Sequence, residues 1–444
     1  MDISLFGRGI HLERVKTPAQ IQELPTPARI RLALRQVAGH PCHPIVQKGD
    51  AVAEGQLVGE GPAPIHSPVS GVVKGVEEIP GLDGDKLSVL VIEADDTGRI
   101  APFEADGVPL RRSAEELLDR IRAAGIVQPG RESLPLATMI EEALAPRGQI
   151  APTGKAVQRP LRHLVVRCLD VDPGLAGLAA LACTLQEDAS DLALAIDALL
   201  KVTGAEQVHL ALGTGQAPAA LLALAADRDW AVQRMDEGQF PAAHDTLLAA
   251  AVSGQEPDVA WRRVDQSGTL VLDLDVVLQV TEAVRAGRPV LQRLVTVARG
   301  GQAKVLRVAI GAPMESLARA AGHNGVYGKV ILGGPMQGLA YHGLDFPLGK
   351  CLQGLTLQEA AEVVHDLNHP CISCGLCAMV CPMRLTPGLL SRYCEFQRWE
   401  EAESAHLFTC IECGCCAFVC PAQRSMVQFM VQGKSEVLAT RRAG

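Results

Sequence analysis

The sequence predicts a multidomain α/β protein that ends in a cysteine-rich helical module. Three observations carry that prediction. Short β-branched runs separated by tight turns occupy residues 40–79, strand-like and helix-like segments alternate over residues 113–285, and one cysteine pattern occurs twice after residue 370. At 444 residues the chain is too long for a single core, and length alone suggests about three domains. Hydrophobic residues make up 48% and aromatic residues only 3%, so the cores must be aliphatic, which suits layers of helices and strands. A net charge of −9 without a basic stripe argues against nucleic acid as a partner.

Lys48-Gly49-Asp50, Gly55-Gln56 and Ser70-Gly71-Val72-Val73 read as turns and short strands, with a further strand over 87–94. The stretch looks like a barrel-sandwich hybrid of the biotinyl and lipoyl carrier type. Residues 62–67 stand where such carriers present a modifiable lysine, and they contain none, so no swinging arm is expected and His66 reads as a structural turn residue. Ser113-Ala114-Glu115-Glu116 is a capping-box pattern that opens a helix. Leu164-Val165-Val166 and residues 208–212 read as buried strands, and Leu192, Ile196, Leu199 and Leu200 mark an amphipathic helix between them. This alternation predicts a Rossmann-like parallel layer. Residues 276–285 predict a helix stopped by Gly287. Gly174 to Gly177 and Gly213 to Gly215 come nearest to a phosphate-binding turn, but neither has the closely spaced glycines that open a helix on pyrophosphate, so both read as plain turns.

From Pro289 onward two strands, a helix over 317–321 and the run Gly333-Gly334-Pro335-Met336-Gln337-Gly338 predict a small ββα unit of ubiquitin-like proportions. Its glycine turn calls for close backbone approach to something, and a neighbouring domain is the expected occupant. The charge-free stretch 207–226 is long enough to cross a membrane, yet its Gly-Thr-Gly-Gln-Ala-Pro interruption reads better as strand, loop and short helix. The N-terminus lacks the basic start and apolar stretch of a secretory signal, so a cytoplasmic chain is expected.

The most specific signal is the cysteine pattern. Cys371, Cys374, Cys377 and Cys381-Pro382 form a C-x2-C-x2-C-x3-C-P run, and Cys410, Cys413, Cys416 and Cys420-Pro421 repeat it. In bacterial ferredoxins this run holds iron–sulfur cubes, with the fourth cysteine of each run serving the other cube. Under that rule Cys371, Cys374, Cys377 and Cys420 hold one four-iron four-sulfur cluster, and Cys410, Cys413, Cys416 and Cys381 hold the other. Zinc sites usually pair two knuckles of two ligands and do not account for two runs of four. Between Cys381 and Cys410 lie 28 residues with Leu389, Leu390, Tyr393, Phe396 and Trp399 at near-helical spacing, so the region 356–444 is expected to be helical around the clusters. Of the 14 cysteines, Cys42, Cys168, Cys183, Cys351, Cys394 and Cys415 remain. They read as buried or spectator thiols, with Cys415 able to stand in for Cys416.

Taken together, these segments resemble the RnfC family, the peripheral iron–sulfur subunits of Rnf electron-transport complexes. Phe6-Gly7-Arg8-Gly9-Ile10-His11, the turns of residues 48–73, Thr296-Val297 with the 333–338 run, and both cysteine runs match its segments in order. The resemblance implies four domains. These are a barrel-sandwich hybrid over 1–105, a Rossmann-like domain over 106–288, a β-grasp domain of the soluble-ligand-binding (SLBB) type over 289–350, and a two-cluster ferredoxin domain over 351–444. It also implies FMN and NADH sites, but the three segments that would form them depart from the family pattern. Gly125-Ile126-Val127-Gln128-Pro129-Gly130-Arg131 replaces a Gly-Gly-Ala-Gly-Phe-Pro segment. Arg167-Cys168-Leu169-Asp170-Val171-Asp172-Pro173 replaces Asn-Ala-Ala-Glu-Cys-Glu-Pro, and Phe240-Pro241-Ala242-Ala243-His244-Asp245 replaces Tyr-Pro-Gln-Gly-Gly-Glu. Lost glycines put Cβ atoms where backbone should meet phosphate, so FMN and NADH are expected to bind weakly or not at all.

The expected function is therefore single-electron transfer through two clusters, in a cytoplasmic subunit held on the inner face of the cell membrane by membrane partners and exchanging electrons with another protein. A soluble flavin-dependent reductase of the same fold, for instance of a corrinoid, is the alternative. A non-redox scaffold stapled by its clusters is the third reading.

Overall fold

The computed structural model describes residues 8–18, 20–37, 41–82, 84–95, 97–130, 133–144, 160–215, 217–255, 268–323, 325, 327–364 and 368–443. Phe6, Gly7, Arg131 and Gln216 of the runs quoted above lie outside them.

The N-terminal unit is a barrel-sandwich hybrid of two antiparallel sheets. One runs in the order Arg29–Ala33, Lys86–Ala94, Gly71–Pro80, Ala51–Val52, and the other joins His43–Pro44, Leu57–Glu60 and Ile65–His66. Strand Lys86–Ala94 is apolar almost throughout because both of its faces are covered. Leu90 and Ile92 point into the barrel core with Ile30, Val52 and Ile65, whereas Leu87, Val89 and Val91 point into the core of a second unit. Glycine is required at Gly71, where a Cβ would run into the Glu93 carbonyl across the ladder. His66 is a strand residue paired with Leu57, not the turn residue the sequence suggested. Burial, with the Lys350 ammonium adding to it, lowers its pKa to about 3, so the ring is neutral.

The α/β unit follows. Helix Ala114–Ala123 starts where the capping box predicts: Ser113 Oγ accepts from Glu116 N at 3.2 Å and Glu116 Oε2 accepts from Ser113 N at 2.7 Å. Strands Ala231–Met235, Gln207–Gly213, His163–Arg167 and Thr269–Asp273 lie side by side in that order, all parallel. The chain thus lays strands outward from His163–Arg167 and then returns to its other side, the doubly wound arrangement whose switch point falls between His163–Arg167 and Thr269–Asp273. Helices Ser190–Thr203 and Leu274–Thr281 cover the sheet, and the latter ends in a π turn closed by Gly287 at φ 62°. The charge-free stretch resolves into strand Gln207–Gly213 and helix Ala219–Asp227. Among the described residues no helix is long and apolar enough to cross a membrane.

The third unit is larger than the small ββα motif read from the sequence. Its six-stranded sheet runs Ile21–Glu23, Gln302–Ala309, Gln292–Arg299, Gly354–Gln358, Lys329–Leu332, Leu339–Tyr341, with helix Met314–Ala320 packed on it. Ile21–Glu23 comes from the N-terminus and pairs in parallel with Gln302–Ala309. Gly354–Gln358 lies beyond residue 350 and overlaps the start of the stretch expected to be helical, yet it is an inner strand between two neighbours. Pairings of that sequence separation leave no local periodicity to read. The turn at Gly333-Gly334 meets the neighbouring α/β unit, as expected: a Cβ on Gly334 would lie 2.5 Å from Asp172 Oδ2.

A buried histidine and a half-buried one on adjacent parallel strands make the α/β unit sensitive to acid. His163 Nδ1 and His209 Nε2 are 3.2 Å apart. Burial lowers both pKa values, that of His209 to about 4 with the His163 charge adding to the effect. Between that value and about 6.5, the unfolded chain binds more protons than the folded one. Stability from this group is therefore complete above about pH 6.5 and lost as pH falls toward 4, by at most about 3 kcal/mol. Urea midpoints followed by tryptophan fluorescence should fall over that pH range, and the fall should be smaller in His209→Leu.

Candidate iron–sulfur site

The two cysteine runs fold alike, 39 residues apart. In each, the residue before the second cysteine is left-handed, Ser373 at φ 57° and Glu412 at φ 58°. Such a backbone is strained for a non-glycine residue. It turns the amide of Ser373 onto Cys371 Sγ and that of Glu412 onto Cys410 Sγ, both at 3.4 Å. Gly375 at φ 78° and Gly414 at φ 87° then open the short helices Leu376–Val380 and Cys415–Phe418, which carry the third cysteines. After each Cys-Pro the chain turns through a second left-handed residue, Arg384 or Gln423, into helix Pro387–Glu395 or Met426–Ala443. These two helices cross at equivalent positions of the repeat. A Cβ on Gly433 would stand 2.5 Å from Cys394 Sγ, so a glycine here lets the halves close.

Crossing the halves interleaves their cysteines. One cavity is lined by Cys371, Cys374, Cys377 and Cys420, together with Gly388, Arg424 and Met426. The other is lined by Cys381, Cys410, Cys413 and Cys416, together with Glu412, Cys415 and Met430. In the first, here called outer, Cys371 and Cys374 are exposed, while in the inner one Cys381, Cys413 and Cys416 are buried. Among the described residues no three Cys, His, Asp or Glu side chains converge closely enough to hold a single ion; the thiols ring each cavity instead. Burial pushes the Cys381 thiol up to about 11 and also raises Cys377 and Cys416. Crowded apolar thiols of this kind ionise readily only beside a metal cation, and all-sulfur donor sets suit iron–sulfur groups. The donor chemistry therefore fits the cofactor expected from the sequence.

Of the six other cysteines, Cys42, Cys168, Cys394 and Cys415 are buried, Cys351 is half-buried and Cys183 is exposed. Cys415 is fully buried in a cluster with Ile10, Phe240 and Cys413, 3.8 Å from the Phe240 carbonyl. A hydrogen bond from Cys415 lowers the Cys413 pKa.

The segments expected to be poor flavin sites lie near the carboxyl ends of the parallel strands, where such folds bind ligands. They are occupied by the chain itself. Arg167 is buried against Asp273, with Nε to Oδ1 at 2.8 Å, and also pairs with Asp245. Gln353 Nε2 donates to Asp273 Oδ2 at 2.7 Å, and Gln128 Oε1 accepts from Asp273 N at 3.1 Å. Asp170 accepts from Leu178 N and Ala179 N at the start of helix Gly177–Thr184. Asp172 accepts from Gly174 N, Met336 N and Gln337 N at 2.9–3.0 Å. Burial outweighs these bonds and holds both carboxyls above their usual range. The carbonyl of Gly125 accepts from Lys350 Nζ at 2.8 Å, and Lys350, buried, is lowered to about 8. Gly174 packs on Pro335 and Gly213 on Glu237, so both are protein-filled turns. Neither Lys350 nor the Arg167–Asp273 pair is signalled in the sequence, because their partners lie far along the chain.

Residues 4–97 match the model of the RnfC barrel sandwich hybrid domain. Over its length the chain is similar to the C subunit of the Na+-translocating ferredoxin:NAD+ oxidoreductase complex of Acetobacterium woodii, at 30% identity over 91% of this chain and 90% of the relative. It is also similar to the C subunit of the ion-translocating oxidoreductase complex of Rhodobacter capsulatus, at 30% identity over 85% and 73%. A third relative is the C subunit of the proton-translocating ferredoxin:NAD+ oxidoreductase complex of Clostridium ljungdahlii, at 29% identity over 97% and 93%. With this identity spanning most of both chains, the chain belongs to the RnfC family, the C subunits of Rnf-type ion-translocating oxidoreductase complexes.

Proposed function

We propose that this C subunit carries single electrons for an Rnf-type complex through two four-iron four-sulfur clusters, without using a flavin of its own. Cys371, Cys374, Cys377 and Cys420 would hold one cluster; Cys381, Cys410, Cys413 and Cys416 would hold the other. The observation that carries the reading is the interleaving of two identical cysteine runs around two separate cavities. Such a cluster, when bound, supplies one-electron transfer whose potential follows charge, hydrogen bonds to sulfur and solvent access. The thiolates bind, the left-handed turns aim amides at sulfur, and the apolar lining of the inner cavity excludes water.

Absence of flavin is supported by the occupied crevice. The amides that open helix Gly177–Thr184 are taken by Asp170, and those of the 336–337 turn by Asp172, so two places suited to an anion already hold carboxylates. Electrons would then enter and leave through protein partners, the membrane subunits and an electron-carrying protein, with the chain peripheral on the inner face of the membrane. We further assign the six-stranded unit as an SLBB-type β-grasp running to about residue 358, the parallel unit as Rossmann-like over 106–288, the barrel as residues 1–105, and the remainder as the ferredoxin domain.

Iron analysis of protein purified without oxygen should give about eight irons per chain. Cys420→Ser should lower that content and remove the electron paramagnetic resonance signal shared with Cys371→Ser, while Cys381→Ser removes the one shared with Cys410→Ser. Loss following sequence proximity instead would disprove the exchanged ligands. Denatured protein should release no flavin absorbance; stoichiometric FMN would overturn the flavin-free reading.

A further inference from the structure

The two cavities are lined by opposite charges. Arg424, with its side chain 5% exposed, lines the outer cavity and pairs with Glu395, which does not. Glu412, 4% exposed, lines the inner cavity and pairs with Lys434, which does not. Each pair is neutral as a whole, so what differs is which member borders the cavity: a guanidinium at the outer thiols, and at the inner ones a carboxylate whose partner Lys434 also donates to the Cys410 carbonyl at 2.6 Å. Arg424 carries a second asymmetry. Its Nη2 donates to Glu395 and its Nη1 to the His369 carbonyl at 3.4 Å, but the buried Nε–H has no hydrogen-bond partner among the described residues. A buried donor left unpaired is unfavourable. The sulfur-lined cavity that Arg424 borders would supply an acceptor for it.

We propose that Arg424 sets the outer cluster's potential above that of the inner one, so that a single electron on this subunit rests at the solvent-facing site. This rests on the reading that each set of four thiols holds a cluster. Reduction adds one negative charge and no proton. A guanidinium and an N–H donated toward sulfur favour the added charge; a buried carboxylate opposes it. Solvent acts in the same direction, since Cys371 and Cys374 are exposed and the inner thiols Cys381, Cys413 and Cys416 are buried. An electron that first reduced the inner site would pass to the outer one, leaving the inner site oxidised and the outer reduced by one electron. Arg424 is thus a positioning and tuning residue, not a ligand.

Dithionite titration of the full-length protein, followed by electron paramagnetic resonance, tests this. The signal lost in Cys420→Ser should have the higher midpoint in the otherwise wild-type chain. Arg424→Met should lower that midpoint and leave the other unmoved, Arg424→Lys should lower it by less, and Glu412→Gln should raise the other. Equal or inverted midpoints in the wild-type chain overturn the proposal, whatever the variants do. So does an unmoved outer midpoint in both Arg424 variants at full iron content. A chain that binds no iron refutes the cluster reading itself, a result distinct from these.

Discussion

The carboxylate of Asp172 is the interaction on which the arrangement of units depends. It stands at the end of a segment leaving the parallel sheet and accepts amide hydrogens from its own turn and from Met336 and Gln337 of the six-stranded unit. Gly334 lacks a Cβ where one would collide with that carboxylate, and the next turn residue, Met336, touches Gly414 of the inner cysteine loop, with a Cβ there only 3.2 Å from the Met336 carbonyl. Arg14 clamps the same segment from the N-terminus by donating to the carbonyls of Asp170 and Asp172. One buried acid therefore joins the α/β layer to the β unit, and the turn it grips joins both to the redox module. Burying it is unfavourable enough to raise its pKa despite three N–H partners, which means its geometry is held by the surrounding packing as much as by its charge.

Local features were legible in the sequence where physics is local. Ser113 and Glu116 announce a helix start because both halves of the capping box lie within one turn. The alternation of apolar segments over 164–285 pointed to the parallel layer, since buried parallel strands are nearly uniform in hydrophobicity. The cysteine spacing indicated even which thiols share a cavity. What could not be read depends on distant pairing. Ile21–Glu23 has three residues and no amphipathic signal of its own, and Gly354–Gln358 acquires its role only between Lys329–Leu332 and Gln292–Arg299. Arg424 and Glu412 look like ordinary surface charges in sequence, and only their burial reveals them.

The crevice at the carboxyl ends of the parallel strands is filled by side chains of the chain itself. Here Arg167, Asp245, Asp273, Gln128 and Gln353 form one connected polar network across the strand ends, and Asp170 caps the helix that opens there. Buried networks of this kind are stable only when every member is satisfied. The three segments are thus matched to one another, and changing one of them alone would break bonds made by the others.

The exchange of fourth cysteines between the halves has a consequence for assembly. Cys381 belongs to the first run and lines the inner cavity; Cys420 belongs to the second and lines the outer one. Each half is therefore incomplete without its twin, and the contact of Gly433 with Cys394 closes them at a single crossing. A half cut from its twin would carry three thiols of one ring and only the fourth thiol of the other, so neither ring would survive separation.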